Sequence, residues 1–400
     1  VQVPRIIVFL FVLIAILIVL MIFLAGSFPG GSYGPGHPEA YLLYASAGSM
    51  PQLLNTGQVD AFIAWEPVVS QAELSGIGRM VATPAELPPP GEWENAASCI
   101  FLLRNDTIHR EPEISALLSA LTIAAVNRTN EDPELAENIT AAWVFGNKPI
   151  LTPTGTLDPL AVEQHSFSNM VFTSDAALPV SSMVASTVET EKGPGGYNLS
   201  AMTDPAVEAQ GRAYLSGSPL PVPSGTVPTL SLGYLPSSDN FAPLYVMVMD
   251  SGYFSAQYGF CLAPDDPEQS RPDACTLFVN GTPAAYVSLV PGQSGGGLMT
   301  AVGQEVLDGV YVGSIPAELQ IGLGNPSLII QSINTGGTGL VVGPDAPCDD
   351  WQGFVRWVKI RSASGNPIVV ATIQSSIQED MIREAFGYEN ITVIMYGSGE

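Results

Sequence analysis

Between residues 284 and 317 the spacing of apolar positions changes twice. Ala284–Val290 is a short apolar run of strand character, and Pro291–Gly297 (PGQSGGG) is a glycine-rich turn. Leu298, Ala301, Val302 and Val306 then recur at helical spacing, which predicts a helix over Leu298–Leu307. A buried strand, Val310–Val312, follows and ends in Gly313 and Ser314. Strand, glycine turn, helix and strand place free backbone N–H groups and hydroxyls along one sheet edge. In open α/β sheets that edge is where small ligands sit, and a helix start favours an anion. The plain alternative is that the glycines only make a tight turn.

Similar alternation extends over most of the chain. Tyr41–Ala45, Ala61–Ala64, Gly78–Ala82 and Ser98–Arg104 read as strands, with a short helix over Ser49–Thr56. Prolines at 112 and 133 open helices over Glu113–Val126 and Glu134–Phe145. From Pro149 to Thr226 the pattern thins. It leaves helices near Leu160–Phe167 and Ser181–Glu189, a strand at Met170–Thr173, and a linker-like Ala213–Val227. A new α/β unit opens with strand Leu230–Tyr234 and helix Ala242–Met249. It continues beyond the glycine turn through Ser327–Asn334, Gly339–Val342, helix Trp351–Ile360, strand Ile368–Ala371, helix Ile377–Phe386 and strand Ile391–Met395.

One segment stands apart. Ile6–Ala25 is an unbroken apolar run, long enough to cross a bilayer as a helix. Arg5 precedes it and no positive charge follows closely, which places the bulk of the chain on the extracytoplasmic side. A retained anchor is expected over residues 1–26, with cleavage after Ala25 as the alternative, then a Gly/Pro tether over 27–39. Six Asn-x-Ser/Thr triplets, at Asn105, Asn127, Asn138, Asn198, Asn280 and Asn390, are compatible with export.

Charge narrows the partners. The 400 residues carry 13 Lys+Arg against 38 Asp+Glu, a net charge of −25. Such a surface repels nucleic acid and anionic headgroups, so an anionic ligand needs local N–H donors. Four cysteines and three histidines are scattered without metal-ligand spacing, and neither metal nor cofactor is expected. Cys261 and Cys275 flank a polar loop and could bridge in an oxidising compartment, whereas Cys99 and Cys348 read as small core residues. No G-x-S-x-G, Walker lysine or dinucleotide fingerprint is present, so an enzyme is not expected.

Two groups of motifs carry a family resemblance. Leu232–Pro236, Ala242–Phe254, Pro291–Pro316 and Asn334–Val342 together resemble the first lobe of ABC-importer substrate-binding proteins of the nitrate/sulfonate/taurine and thiamine-precursor type. Gly57–Pro67 (GQVDAFIAWEP), Gly76–Gly78 and Cys99–Arg104 resemble the second lobe of the same family. The resemblance implies a two-lobed, periplasmic-binding-protein-like fold of the type II class. Each lobe would be an open α/β sheet flanked by helices, preceded here by one transmembrane helix.

The order departs from the family, because the second-lobe-like segment (40–212) comes first. A linker (213–227) and the first-lobe-like segment (228–400) follow. Ile391–Gly399 also resembles Tyr41–Gly48. A circular permutant and a window onto a tandem array both fit. One assembled two-lobed module is the expectation, because either lobe alone would expose its cleft.

By this resemblance the first lobe offers Ser237, Ser238, Asp239, Asn240, Gln293, Ser294, Gly295, Gly313, Ser314, Thr338, Ser375 and Ser376 to a ligand, and the second offers Trp65 and Glu66. Trp65 can stack on a ring or pack an alkyl chain, and Glu66 can accept from an amine. The alternatives are ordinary. Ser376-x-x-Glu379 is a capping box that can consume the Ser376 hydroxyl, Trp65 can be core, and Glu66 can cap a turn. Acidic Glu379 and Asp380 in the same helical turn oppose an anion.

The expected function is capture of a small polar or anionic solute for an ABC permease and its ATPase. The runner-up is a sensor or surface interaction protein that keeps the fold without transport. An enzyme of pyrimidine-precursor synthesis on the same fold would need a His- and Cys-rich cleft that this chain lacks.

Overall fold

A computed structural model describes residues 38–223 and 225–397. The apolar run at Ile6–Ala25 and nearly all of the tether lie outside the described residues. Within them, no helix is long and apolar enough to cross a membrane.

Two sheets organise the chain. The six-stranded sheet runs Val393–Met395, Ala40–Tyr44, Ile368–Thr372, Ala61–Trp65, Thr338–Val342, Arg79–Ala82. Its strands are parallel except Thr338–Val342, which runs antiparallel to both neighbours. The eight-stranded sheet runs Met170–Phe172, Ser327–Gly336, Ala97–Arg104, Gly309–Gly313, Thr229–Tyr234, Thr282–Pro291, Ala274–Val279, Phe260–Pro264. Helices pack on both sheets, and the sheet residues alternate with them in sequence, as expected of an α/β chain.

Each sheet takes strands from both segments set out above. The lobes therefore do not coincide with residues 40–212 and 228–400. The six-stranded lobe joins 40–82 to 338–395, and the eight-stranded lobe occupies most of the chain between them. The chain passes between the sheets through residues 83–96 and again at Gly336–Gly337. The two glycines have φ of +73° and +67°, a region that a side chain disfavours. A Cβ on Gly337 would lie 2.5 Å from Asn240 Oδ1, so glycine is needed there for space as well. The two stretches that resemble each other lie side by side, with Ala40 opposite Val393 and Leu42 opposite Met395.

Three apolar clusters hold the layers. One fills the eight-stranded lobe, where Trp143 stacks on Tyr245 at 4.7 Å. The other two cover the faces of the six-stranded sheet. One of those contains Trp351, Phe354 and Phe386, with the two phenyl rings stacked at 6.3 Å.

Five helices bear on the space between the sheets: α1 (Pro159–Phe167), α2 (Ser182–Lys192), α3 (Gly295–Gly303), α4 (Ser314–Leu323) and α5 (Ile377–Tyr388). Helix α3 starts three residues before the predicted Leu298. Ser294 is its N-cap, accepting from the Gly297 N–H at 3.1 Å, so the three glycines form the first turn rather than a loop. Sequence pattern also missed α4, whose Pro316 sits in the first turn, where a missing N–H costs nothing. The expected loop between Cys261 and Cys275 is instead flanked by paired antiparallel strands. Both thiols are buried and free, and each faces a different partner: Cys261 is opposite Phe278 and Cys275 opposite Pro264. No bridge joins them.

Candidate functional site

A cleft lies between the two sheets, at the carboxyl ends of their parallel strands. Trp65 closes strand Ala61–Trp65, Leu235 follows Thr229–Tyr234, Gly313 closes Gly309–Gly313, and Ile373 follows Ile368–Thr372. All four line it. The first turns of α3, α4 and α5 point into the same space through Gly295 and Gly296, Pro316, and Ile377 and Gln378. The empty volume is about 500 Å³ counting the part open to solvent. Only about 50 Å³ of it admits the centres of water molecules.

The sequence candidates separate into two groups. Trp65, Ser238, Asn240, Ser294, Gly295, Gly313, Ser375 and Ser376 line the cleft. Glu66, Ser237, Asp239, Gln293, Ser314 and Thr338 do not. Gln293 is exposed on the turn before α3. Ser314 is fully buried, and its hydroxyl has no partner among the described residues. Thr338 is buried behind the wall, where its hydroxyl accepts from Gln378 Nε2 at 2.8 Å and so orients that glutamine.

Glu66 and Asp239 point away from the cleft, into the joint between the lobes. Glu66 Oε2 accepts from the Ser70 N–H at 3.0 Å and Oε1 from Asn169 Nδ2 at 2.7 Å. Asp239 accepts from the Ser166 hydroxyl at 2.5 Å, and its backbone N–H reaches the Glu66 carbonyl at 3.3 Å. Glu163 of α1 completes the group, and all three carboxyls are buried. Burial is the first cause of a raised pKa in each. Asp239 is pushed up to about 7, and the carboxyl of Glu163 facing it is raised as well. Two desolvated carboxylates cannot both ionise in contact, so this pair shares a proton.

Hydrogen bonding decides which lining hydroxyls are free. The Ser376 hydroxyl donates to the Ile373 carbonyl at 2.7 Å and accepts from the Glu379 N–H at 3.2 Å. Glu379 Oε2 in turn accepts from the Ser375 N–H at 2.7 Å. The capping box thus consumes the Ser376 side chain and the Ser375 N–H. Ser294 and Ser238 accept through oxygen, from Gly297 N–H and Asn240 Nδ2, which leaves each O–H able to donate. The Asn240 amide is held from both ends, since its Oδ1 accepts from Asn334 Nδ2 at 2.6 Å.

Among the described residues, no Asp, Glu, Lys, Arg or His lines the cleft. The titratable group found in its wall is Cys99, a buried thiol whose pKa is pushed up to about 12 by desolvation, so it stays neutral. Polar recognition falls to hydroxyls, amides and first-turn N–H groups, which have no acceptor within their own helices. Three helix starts aimed at one small space sum to a positive potential without a formal charge. Apolar walls from Trp65, Leu235, Phe241, Ile373 and Ile377 surround them.

Sequence reading missed Ser98, Cys99, Phe241, Gln374 and Gln378. The last three sit one or two residues from a named candidate, on the same strand end or helix start. That proximity to a strand's carboxyl end was the available signal. Among the described residues no group of side chains has the arrangement of a metal site.

No curated protein matches the chain, and no solved structure does. The model of the NMT1-like family matches residues 39–144, a stretch that contributes Trp65, Ser98 and Cys99 to the cleft. That family falls in the nitrate/sulfonate/taurine-binding class of substrate-binding proteins.

Proposed function

We propose that this protein captures a small polar or anionic solute in the cleft between its two sheets and presents it to an ABC permease driven by its ATPase, on the extracytoplasmic side of a membrane. The observation that carries this reading is the convergence of three helix starts on an enclosed space that no charged side chain lines. An enzyme's general acid or base has no candidate there. A binder needs only donors, walls and closure. The NMT1-like match over 39–144 supports the same class.

Size narrows the ligand. At roughly 10–15 Å³ per water centre, a space of about 50 Å³ holds a handful of waters. That suits nitrate or a short sulfonate in this arrangement of the lobes, while a heterocyclic precursor would need them further apart. Trp65 and Phe241 would pack the apolar part, while the N–H groups of Gly295, Gly296, Ile377 and Gln378 would face the oxygens. Gly336 and Gly337 are the natural place for lobe movement.

Calorimetric titration with nitrate, methanesulfonate, taurine and an aminopyrimidine tests the reading. One compound should bind saturably at one site. Trp65→Ala should weaken it about tenfold or more, since loss of one aromatic wall removes on the order of 1–3 kcal/mol. Absence of saturable heat from every compound would count against solute capture. It would favour the sensor or interaction reading.

A further inference from the structure

We infer that solute capture is coupled to proton uptake by Glu318 and Asp380, two buried carboxyls, one from each lobe, on helices whose first turns line the cleft. The inference rests on the reading of the cleft as a ligand site and adds its regulation.

The geometry is as follows. Pro316 of α4 and Gln378 of α5 line the cleft, and Glu318 and Asp380 lie two residues further along the same helices. Helix α4 follows a strand of the eight-stranded sheet, and α5 follows a strand of the six-stranded sheet. Each lobe therefore supplies one carboxyl. Both are fully buried. Glu318 Oε2 accepts from the Tyr197 hydroxyl at 2.9 Å while its Oε1 has no hydrogen-bond partner among the described residues, and Ser181 is the side chain set against Asp380.

Helix α2 straps the two together. Ser181 and Ser182 at its start lie against α5, where the Ser182 N–H reaches Glu384 Oε1 at 3.2 Å. Val184 and Val188 pack into the apolar cluster of the six-stranded lobe, and Gly322 of α4 lies so close that a Cβ there would sit 2.5 Å from Val188.

The charged groups that bear on the pair are acidic. Glu379 and Glu384 come from α5 itself, Glu92 from the crossing segment 83–96, and Tyr197 from the chain after α2. Arg383, also on α5, is spent on Glu379 Oε1 at 2.7 Å. Lys192 of α2 lies at Gly324, beyond the far end of α4. Burial, and then the neighbouring acids, raise Glu318 to about 8 and Asp380 to about 7, with Tyr197 and Ser181 opposing.

The sign follows from the two states. In the closed form the pair holds protons near neutral pH. When the lobes part, water reaches the carboxyls and they return toward the ordinary values of 4.5 and 3.8, releasing protons to solvent. Closed protein therefore binds more protons than open protein from about pH 5 to about pH 8. Falling pH favours closure, and rising pH opens the cleft. By linkage, a ligand held only by the closed form binds more tightly at low pH.

The test uses small-angle scattering and calorimetry on the full chain, with Glu318→Gln, Asp380→Asn and the double variant. Ligand-free wild type should expand between pH 6 and pH 8, each single variant should expand less, and the double variant should stay compact. Nitrate or methanesulfonate affinity should fall about tenfold or more over the same interval in wild type, by less in each single variant, and less than twofold in the double variant, because each carboxyl releases its own proton. An expansion and an affinity loss that persist unchanged in the double variant would overturn the coupling while leaving solute capture intact. If neither anion binds at any pH but the variant-sensitive expansion is present, proton-linked closure stands and the ligand reading falls.

Discussion

Replacing Glu163 with glutamine gives the sharpest view of the carboxyl group at the joint between the lobes. In the native protein Glu163 and Asp239 face each other without solvent, and the hydroxyl of Ser166 also donates to Asp239. Asp239 titrates near 7 there, against an ordinary value of 3.8. A carboxyl whose native pKa is raised binds its proton more tightly folded than unfolded, so stability is greatest below the unfolded value and declines as pH rises through the native one. The slope is at most about 1.4 kcal/mol per pH unit for each proton, and three units give a loss on the order of 4 kcal/mol between about pH 4 and pH 7.

Glu163→Gln keeps a donor beside Asp239 at nearly the same volume and removes the carboxyl whose own ionisation is opposed by burial and by Asp239. Near pH 4 the variant should match wild type or lose about 1 kcal/mol, the worth of one hydrogen bond. By pH 8 it should be the more stable protein, because the loss from ionising Glu163 is gone while the loss from ionising buried Asp239 remains. Urea denaturation at intervals from pH 4 to pH 8 reads both curves directly. They should cross. Parallel curves separated by a constant offset would refute the shared proton.

The remaining predictions concern packing and the turn between sheets. Phe354→Ala removes a fully buried ring stacked on Phe386 and should cost about 3–5 kcal/mol, measured by denaturant midpoint at constant slope. A cost under about 1 kcal/mol would show that this face of the six-stranded sheet is not packed as described. Gly337→Ala combines a left-handed backbone, worth about 1–2 kcal/mol, with a clash on Asn240 Oδ1 worth about 1–3 kcal/mol. Its loss of stability should be accompanied by weaker ligand binding, because Asn240 is part of the cleft wall, and an unchanged melt would contradict the geometry.

Much of the strand and helix content was legible because burial imposes period. Ala61–Ala64 and Val310–Val312 are continuous apolar runs and form central strands. Pro112 and Pro133 mark helix starts where a missing N–H is harmless. The glycine turn was located correctly, but its content was not. Gly295–Gly297 have poor helix propensity, and only the Ser294 cap together with close packing of Gly295 against Pro316 and Val312 makes them a first turn.

The lobes were not legible. Strand pairing is a long-range property, and nothing local tells Thr338–Val342 to leave the sheet of Ser327–Gly336 and insert between Ala61–Trp65 and Arg79–Ala82. Among site residues, Trp65 and Glu66 are neighbours at one strand end, so sequence offered them together. Alternation sends their side chains to opposite sides, one to the cleft and one to the joint. Which side holds the ligand depends on the partner lobe. Ser376 was weighed between cap and ligand contact, and its two hydrogen bonds decide for the cap.

The central claim is that the two sheets enclose a site for a small solute. A thermal-shift series against oxyanions, short alkylsulfonates, amino acids and pyrimidines tests it most directly, since a ligand bound only by the folded protein must raise the midpoint as its concentration passes the dissociation constant. The account predicts a saturable rise for a small oxyanion or sulfonate that moves to about tenfold higher concentration in Trp65→Ala. A cooperative melt that no compound shifts would contradict it.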